Sequence, residues 1–294
     1  MNSFLLRLLK FTLTLSRSWT LLWCAAALIP PLETLLIAQR TDDGGVRQKS
    51  AEFLELPMDY RLDYLFLGSS TCYCGIDPHF LFDYQKTAFS LCSSAQRIGN
   101  SAALLGFAED HISPKHVVVD IYPQLWSTQA SSIECERDWI VNATSVSLPL
   151  ETISPYNALL SMYFALVPNG VSAPSNSSDS YRGLGFVARD KASLDSIDCP
   201  HKNNRSMPLE LEEILLEMSE RGNLILLIPP VLCTADYVIP KSLSGVGLVD
   251  GGVWPGASNA NNFYDDHHLT SSGAASYSGW LSEELIRLET EPSL

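Results

Sequence analysis

The sequence predicts an α/β fold, a mainly parallel sheet flanked by helices in three layers, preceded by one N-terminal transmembrane helix. Three observations carry this expectation. Short apolar runs of the buried-strand kind alternate with stretches of helical periodicity, an order that implies parallel pairing through crossovers. The first of those runs stops abruptly at Gly68-Ser69-Ser70, so a strand ends in a turn that displays hydroxyls. Residues 1–40 are apolar, with Arg7, Lys10 and Arg17 gathered on their amino side.

That basic flank keeps the N-terminus cytoplasmic and sends the rest of the chain across. The clean apolar run from Ser18 to Leu32 is short against the roughly 20 residues that span a bilayer, and a helix continuing through Glu33 to Ala38 supplies the length. No small-x-small pair closes the run, and Trp23 before Cys24 spoils a lipoprotein-type site, so residues 1–40 are expected to remain as an anchor. The polar stretch 41–57, with Asp42-Asp43-Gly44-Gly45, reads as a linker, and the folded domain as 58–294.

Within the domain, Tyr64–Leu67 opens the sheet and Thr87–Leu91 is a second short run. Ile98–Glu109 has helical spacing, and His116–Ile121 is a β-branched strand. The rhythm then breaks. Residues 123–207, with a helix expected at Pro155–Leu166 and a Ser/Asn/Gly-rich stretch at 169–180, read as an insertion forming a lid or a groove wall over the site. Leu209–Arg221 returns to a helical pattern closed by Gly222, Asn223–Ile228 is a buried strand, and Gly245–Asp250 offers one more. The last helix, Ser272–Leu288, turns Trp280, Leu281, Leu285 and Ile286 inward.

The chain carries 19 basic and 33 acidic side chains over 294 residues, a net charge of −14. Removing the four basic residues and one acidic residue of the first forty leaves 15 against 32, a net −17 for the remainder. An acidic domain without a basic stripe argues against nucleic acid and anionic lipid surfaces, and suits a neutral glycan. Six of the seven cysteines follow the anchor, an even number suited to an oxidising compartment. Cys72-x-Cys74 has the wrong spacing for a zinc knuckle, so neither metal nor cofactor is expected. Cys92 ends the second strand, which a parallel sheet sets beside the first, so a disulfide from Cys72 or Cys74 to Cys92 is expected.

A serine at the carboxyl end of a strand has the position a nucleophile needs, but it requires a base, and the base requires a partner. Phe263-Tyr-Asp-Asp-His-His-Leu269 supplies both. Asp265 lies three residues before His268, close enough for its carboxylate to turn back onto the imidazole; Asp266 and His267 offer the same groups beside them.

These stretches resemble the SGNH (GDSL-like) hydrolases, and more closely their membrane-anchored branch that handles acyl groups on bacterial cell-surface polysaccharides such as alginate, cellulose and teichoic acid. The resemblance rests on Leu67-Gly68-Ser69-Ser70 with Gly75-Ile76-x-Pro78, and on Phe263-x-Asp265-x-x-His268-Leu269 with Gly273-Ala274. It implies Ser70 as nucleophile rather than Ser69, His268 as base rather than His267, and Asp265 rather than Asp266 as its partner. The family's Gly-x-Asn-Asp block is absent, and its second, glycine-bearing block falls on Ser90–Gln96 with serines in place of glycine. For the oxyanion, the Ser70 backbone N–H is the expected first donor. The backbone near Ser94 is the expected second, with the side chains of Gln96 and Asn100 as alternatives.

The resemblance implies an exported serine esterase or O-acyltransferase in the inner membrane, single-pass, with its catalytic domain on the periplasmic side. It would add or remove acyl groups, acetyl foremost, on an envelope polysaccharide. A transferase would need a multi-span membrane O-acyltransferase partner to deliver the acyl donor. Two other readings stand beside it: a non-catalytic assembly or carbohydrate-binding component that keeps the fold, and a lipid-directed esterase, which would want an apolar groove.

Overall fold

The computed structural model describes residues 46–126, 135, 179–197, 205–233 and 237–290. The anchor expected over residues 1–40 and the helix expected at Pro155–Leu166 lie outside them. Among the described residues, no helix is long and apolar enough to cross a membrane.

The domain is built on five parallel strands, β1 (Tyr64–Leu67), β2 (Ala88–Ser90), β3 (His116–Asp120), β6 (Asn223–Ile228) and β7 (Gly247–Asp250), in the order β2-β1-β3-β6-β7, with β4 (Asp179–Gly183) and β5 (Phe186–Arg189) in a separate hairpin. Leu65 pairs with Phe89 on one side and Val117 on the other, which sets the register at the centre of the sheet. All four β1 residues are buried because the sheet is covered on both faces. Leu65 and Leu67 pack with Phe53, Leu104, Leu105, Leu215 and Met218 on one side. Tyr64 and Phe66 pack with Tyr277, Leu281 and Leu285 on the other. The first face is covered by α1 (Val46–Glu55), α3 (Ile98–Glu109) and α4 (Leu209–Arg221); the second by α2 (Ser70–Gly75) and α5 (Ser271–Thr290).

The strand order reverses direction between β1 and β3, and in such sheets the crevice at the carboxyl ends of those two strands is where ligands sit. Ser70 follows β1 and Asp120 ends β3, so both lie at that point.

Three expectations need correction. The stretch 41–57 is not wholly a linker, because Val46–Glu55 is helical and Phe53 and Lys49 are buried in the domain. On α5 the inward stripe is Tyr277, Leu281 and Leu285, with Trp280 and Ile286 only half-buried; Tyr277, four residues before Leu281, sets the stripe, and Trp280 lies off it. Gly222 does close α4, but in extended backbone (φ 178°) rather than the left-handed cap.

The described part of the insertion contains an antiparallel hairpin, β4 (Asp179–Gly183) and β5 (Phe186–Arg189). Its tip is tied to the end of β2, where the Ser90 N–H donates to the Leu184 carbonyl at 2.9 Å. Glu52 of α1 accepts from the Leu184 N–H and from the Tyr181 hydroxyl. Helix α1 and the hairpin thus brace each other, and the hairpin ends with Arg189 in the cleft described below.

Candidate active site

The turn after β1 is shaped by close approach to β3. Gly68 sits at φ 156°, and a Cβ there would meet the Asp120 Cβ at 2.3 Å, so a side chain would push the two strand ends apart. The next two serines then diverge. Ser69 is buried; its hydroxyl lies 2.7 Å from the Thr71 hydroxyl and donates to Asp120 Oδ2 at 3.4 Å. Burial pushes the Asp120 carboxyl up to about 6, against hydrogen bonds from Thr71, the Tyr122 N–H and Ser69 that favour the charged form. Ser69 therefore anchors the turn, and Ser70, the first residue of α2, is left facing the cleft.

The histidine segment is pinned at both ends by apolar side chains. Phe263 and Leu269 are buried and form an isolated antiparallel bridge, and the Thr270 N–H donates to the Asn262 carbonyl at 2.9 Å. Gly273 permits this contact, since a Cβ there would come within 2.2 Å of the Asn262 carbonyl oxygen. Inside the loop, Asp265 Oδ1 accepts the backbone N–H groups of His267 at 3.0 Å and His268 at 2.7 Å. The carboxylate thus caps its own turn and is aimed at the imidazole three residues on.

Ser70, His268 and Asp265 come together as a continuous relay. His268 Nδ1 lies 2.7 Å from Asp265 Oδ2, and His268 Nε2 lies 2.8 Å from Ser70 Oγ. The Tyr264 ring stacks on the His268 imidazole at 5.3 Å and 2°, which fixes its plane. Burial pushes the His268 pKa down, and Asp265 counteracts this only in part, so the neutral imidazole is favoured. Burial raises the Asp265 carboxyl, but the hydrogen bonds from His268 and from the two backbone N–H groups outweigh it. The carboxyl therefore ends well below its usual range.

The neighbouring residues have other partners. Asp266 meets His267 Nδ1, and the His267 ring stacks on Tyr122 at 5.5 Å. Among the described residues, Asp265, His267 and His268 are the one group of metal-binding type gathered within 4.8 Å. The His268 nitrogens already face Asp265 and Ser70, so a metal ion there would compete with the serine relay.

The relay opens on a cleft of about 330 Å³ lined by Ser70, Tyr73, Ser94, Tyr122, Arg189 and His268. Of the expected second oxyanion donors, Ser94 lines this cleft. Gln96 does not: it is buried, accepting from the Ser93 hydroxyl at 2.7 Å and donating to Ser101 at 3.0 Å. Asn100 is buried at the start of α3, where it accepts the Arg97 N–H at 3.1 Å. Where the loop lacks glycine, Ala95 takes a left-handed φ of 50°.

The expected disulfide forms between Cys72 and Cys92, 20 residues apart, and ties α2, which begins at Ser70, to the Ser94 loop. Cys233 is also disulfide-bonded. Sequence reasoning missed Lys49, Tyr73 and Arg189, which surround the base of the cleft. Lys49 is fully buried, donates to the Cys92 carbonyl at 2.7 Å and sits 4.3 Å from the Tyr73 ring centroid. Burial pushes its ammonium down to about 7. No local signal marked these three, because each comes from a segment expected as linker, strand-following turn or insertion. In comparisons with known proteins, the chain matches no family model and no curated protein.

Proposed function

We propose that this chain is an exported, membrane-anchored serine enzyme of the SGNH type, an esterase or O-acyltransferase that acts through an acyl-enzyme on Ser70. The observation that carries the reading is the unbroken Ser70–His268–Asp265 relay, with contacts of 2.8 and 2.7 Å, opening on a cleft. Ser70 Oγ attacks the ester carbonyl while His268 Nε2 takes its proton, and Asp265 holds the other nitrogen's N–H. Collapse breaks the bond to the leaving alcohol, which receives the proton from His268. A water or a sugar hydroxyl then gives its proton to His268 and attacks the acyl group, and as the acyl–Oγ bond breaks His268 returns the proton to Ser70.

The substrate class we favour is an acylated polysaccharide of the cell envelope, acetyl being the group transferred. The net −17 of residues 41–294, unsuited to nucleic acid, and the hydroxyl and aromatic side chains in the cleft's lining support it. We place the domain on the periplasmic face of the inner membrane, held by residues 1–40. The basic flank at Arg7, Lys10 and Arg17 supports that orientation, and so does the Cys72–Cys92 disulfide, a bond suited to an oxidising compartment. In the transferase direction, a multi-span membrane acyltransferase would supply the donor.

The test is fluorophosphonate labelling of the full-length chain, together with turnover of p-nitrophenyl acetate. The parent should be labelled on Ser70, and Ser70→Ala should be unlabelled and at least about 10³-fold slower with its melting temperature unchanged. A parent that takes no label would overturn the reading in favour of a non-catalytic assembly or carbohydrate-binding component.

A further inference from the structure

Three cleft-lining side chains that the serine relay does not use form a second hydrogen-bonded chain. Arg189, the last residue of β5, donates from Nη2 to the Tyr73 hydroxyl at 3.0 Å and from Nε to Cys74 Sγ at 3.1 Å. The Tyr73 hydroxyl in turn lies 3.2 Å from Ser94 Oγ. All three side chains line the cleft that holds Ser70 and His268.

The chemistry gives this chain a direction. A guanidinium carries donors only, so the Tyr73 oxygen accepts at the Arg189 contact. The same contact draws electron density from the phenol, which makes it a better donor and a poorer acceptor toward Ser94. Tyr73 is 7% exposed, and burial pushes its pKa well above the ordinary value, so its proton stays in place. With its oxygen accepting from Tyr73, the Ser94 hydroxyl has its own proton left to give to a ligand in the cleft.

The placement of Ser94 relative to Ser70 is also fixed. The Ser93 N–H donates to the Gly68 carbonyl at 3.0 Å, and the Cys72–Cys92 disulfide joins α2 to the same loop. Lys49 ties the Cys92 carbonyl to the Tyr73 ring from beneath. Donors held this way before the reaction stabilise developing charge without reorganising as it forms. The site also lacks the Asn block that would otherwise supply a side-chain donor.

We infer that the Ser94 hydroxyl is the second donor to the oxyanion formed on Ser70, with Tyr73 and Arg189 as positioning residues that turn its proton toward the acyl centre. As Ser70 attacks, the carbonyl π pair moves onto oxygen, and the Ser70 N–H and Ser94 O–H donate to that oxyanion without transferring a proton. On collapse the carbonyl re-forms and both donors are unchanged. This inference rests on the serine-enzyme reading above.

The experiment is p-nitrophenyl acetate turnover by the full-length chain and its variants, each checked by thermal melting. Ser94→Ala should lower kcat by about 10²–10³-fold with KM little changed, the signature of a donor used in the transition state. Ser94→Thr, which keeps the hydroxyl, should restore most of that loss. Tyr73→Phe should lower kcat by roughly tenfold in the parent and add no further loss in the Ser94→Ala background, because it acts through that hydroxyl. Three results would overturn the inference. One is a Ser94→Ala kcat within threefold of the parent while Ser70→Ala is dead, which leaves the serine-enzyme reading standing. Another is Tyr73→Phe costing as much without the Ser94 hydroxyl as with it. The last is full turnover in Ser70→Ala, which removes both readings together.

Discussion

The two ends of the sheet carry the same pair of groups in different surroundings. At the carboxyl end, His268 lies 2.7 Å from Asp265 and stacks on Tyr264 at 5.3 Å; at the amino end, His116 lies 3.1 Å from Glu289 and stacks on Tyr64 at 5.1 Å. The two imidazoles are almost equally buried, at 15% and 13% side-chain exposure, and burial lowers both pKa values. A buried, stacked histidine beside a carboxylate therefore marks no active site by itself.

What separates them is the rest of each carboxylate's company. Glu289 also takes Lys86 at 2.6 Å, Lys115 at 3.3 Å and the Tyr64 hydroxyl at 2.6 Å, so its charge is spent in holding α5 to the strand ends. Asp265 is held by its own turn, with the His267 ring 3.5 Å away and the His268 ring at 2.7 Å, and the second nitrogen of His268 meets a cleft-facing serine. The first cluster gathers several cations on one carboxylate and is structural. The second leaves an imidazole nitrogen 2.8 Å from a serine hydroxyl that lines a cleft.

The largest break in this comparison should come from Asp265→Asn, which removes the acceptor that fixes the imidazole tautomer and should lower kcat by about 10⁴-fold. Glu289→Gln should leave kcat within twofold, as measured on p-nitrophenyl acetate. If Asp266→Asn proves as damaging as Asp265→Asn, the relay has been assigned one residue out of register. Removing the Cys72–Cys92 bond by alanine substitution of both residues should lower stability by about 3 kcal/mol in urea titration, the loop-closure value for a separation of 20 residues. The same change should slow turnover, because the bond spaces the Ser70 helix from the Ser94 loop. An unchanged kcat would separate the bond from the site.

Glu289→Gln should instead act on stability, at about 1–3 kcal/mol, since it leaves Lys86 without its charged partner. Burial alone would raise the Glu289 pKa, but hydrogen bonds from Lys86, Tyr64 and Lys115 outweigh it and hold it down to about 2, from an ordinary 4.5. Because the folded value lies below the unfolded one, that stability is present above about 4.5 and is lost as the pH falls toward 2. Urea titrations of parent and variant across that window should converge at the acid end. The smallest effect is on the activity profile. His268 must be neutral to accept a proton, and its pKa lies below the ordinary 6.5, so turnover should be level above that pH and fall about tenfold per unit on its acid side. His116→Gln should not move this limb.

Elements whose signal is local were legible in the chain. The apolar runs at Tyr64–Leu67 and Asn223–Ile228 are strands, and Ile98–Glu109 is a helix, with the limits that periodicity and turn residues implied. A carboxylate partner for His268 could be expected in its own turn because the contact closes within three residues, while the choice of Asp265 over Asp266 came from the family resemblance. Cys92 could be placed near the Ser70 turn because parallel pairing sets adjacent strand ends side by side.

Tertiary structure decided what depends on distant segments meeting. Between Ser69 and Ser70, nothing local assigns the buried position; Asp120 does, by capturing Ser69 across the strand ends. Val46–Glu55 reads as linker because its polar residues hide the burial of Lys49, whose ammonium finds a carbonyl 43 residues away. Arg189 reaches Tyr73 across 116 residues, and His268 reaches Ser70 across 198. Composition and periodicity report what one segment can bury against an unspecified partner. Hydrogen-bond direction and charge are set by the identity of that partner, which only the folded chain supplies.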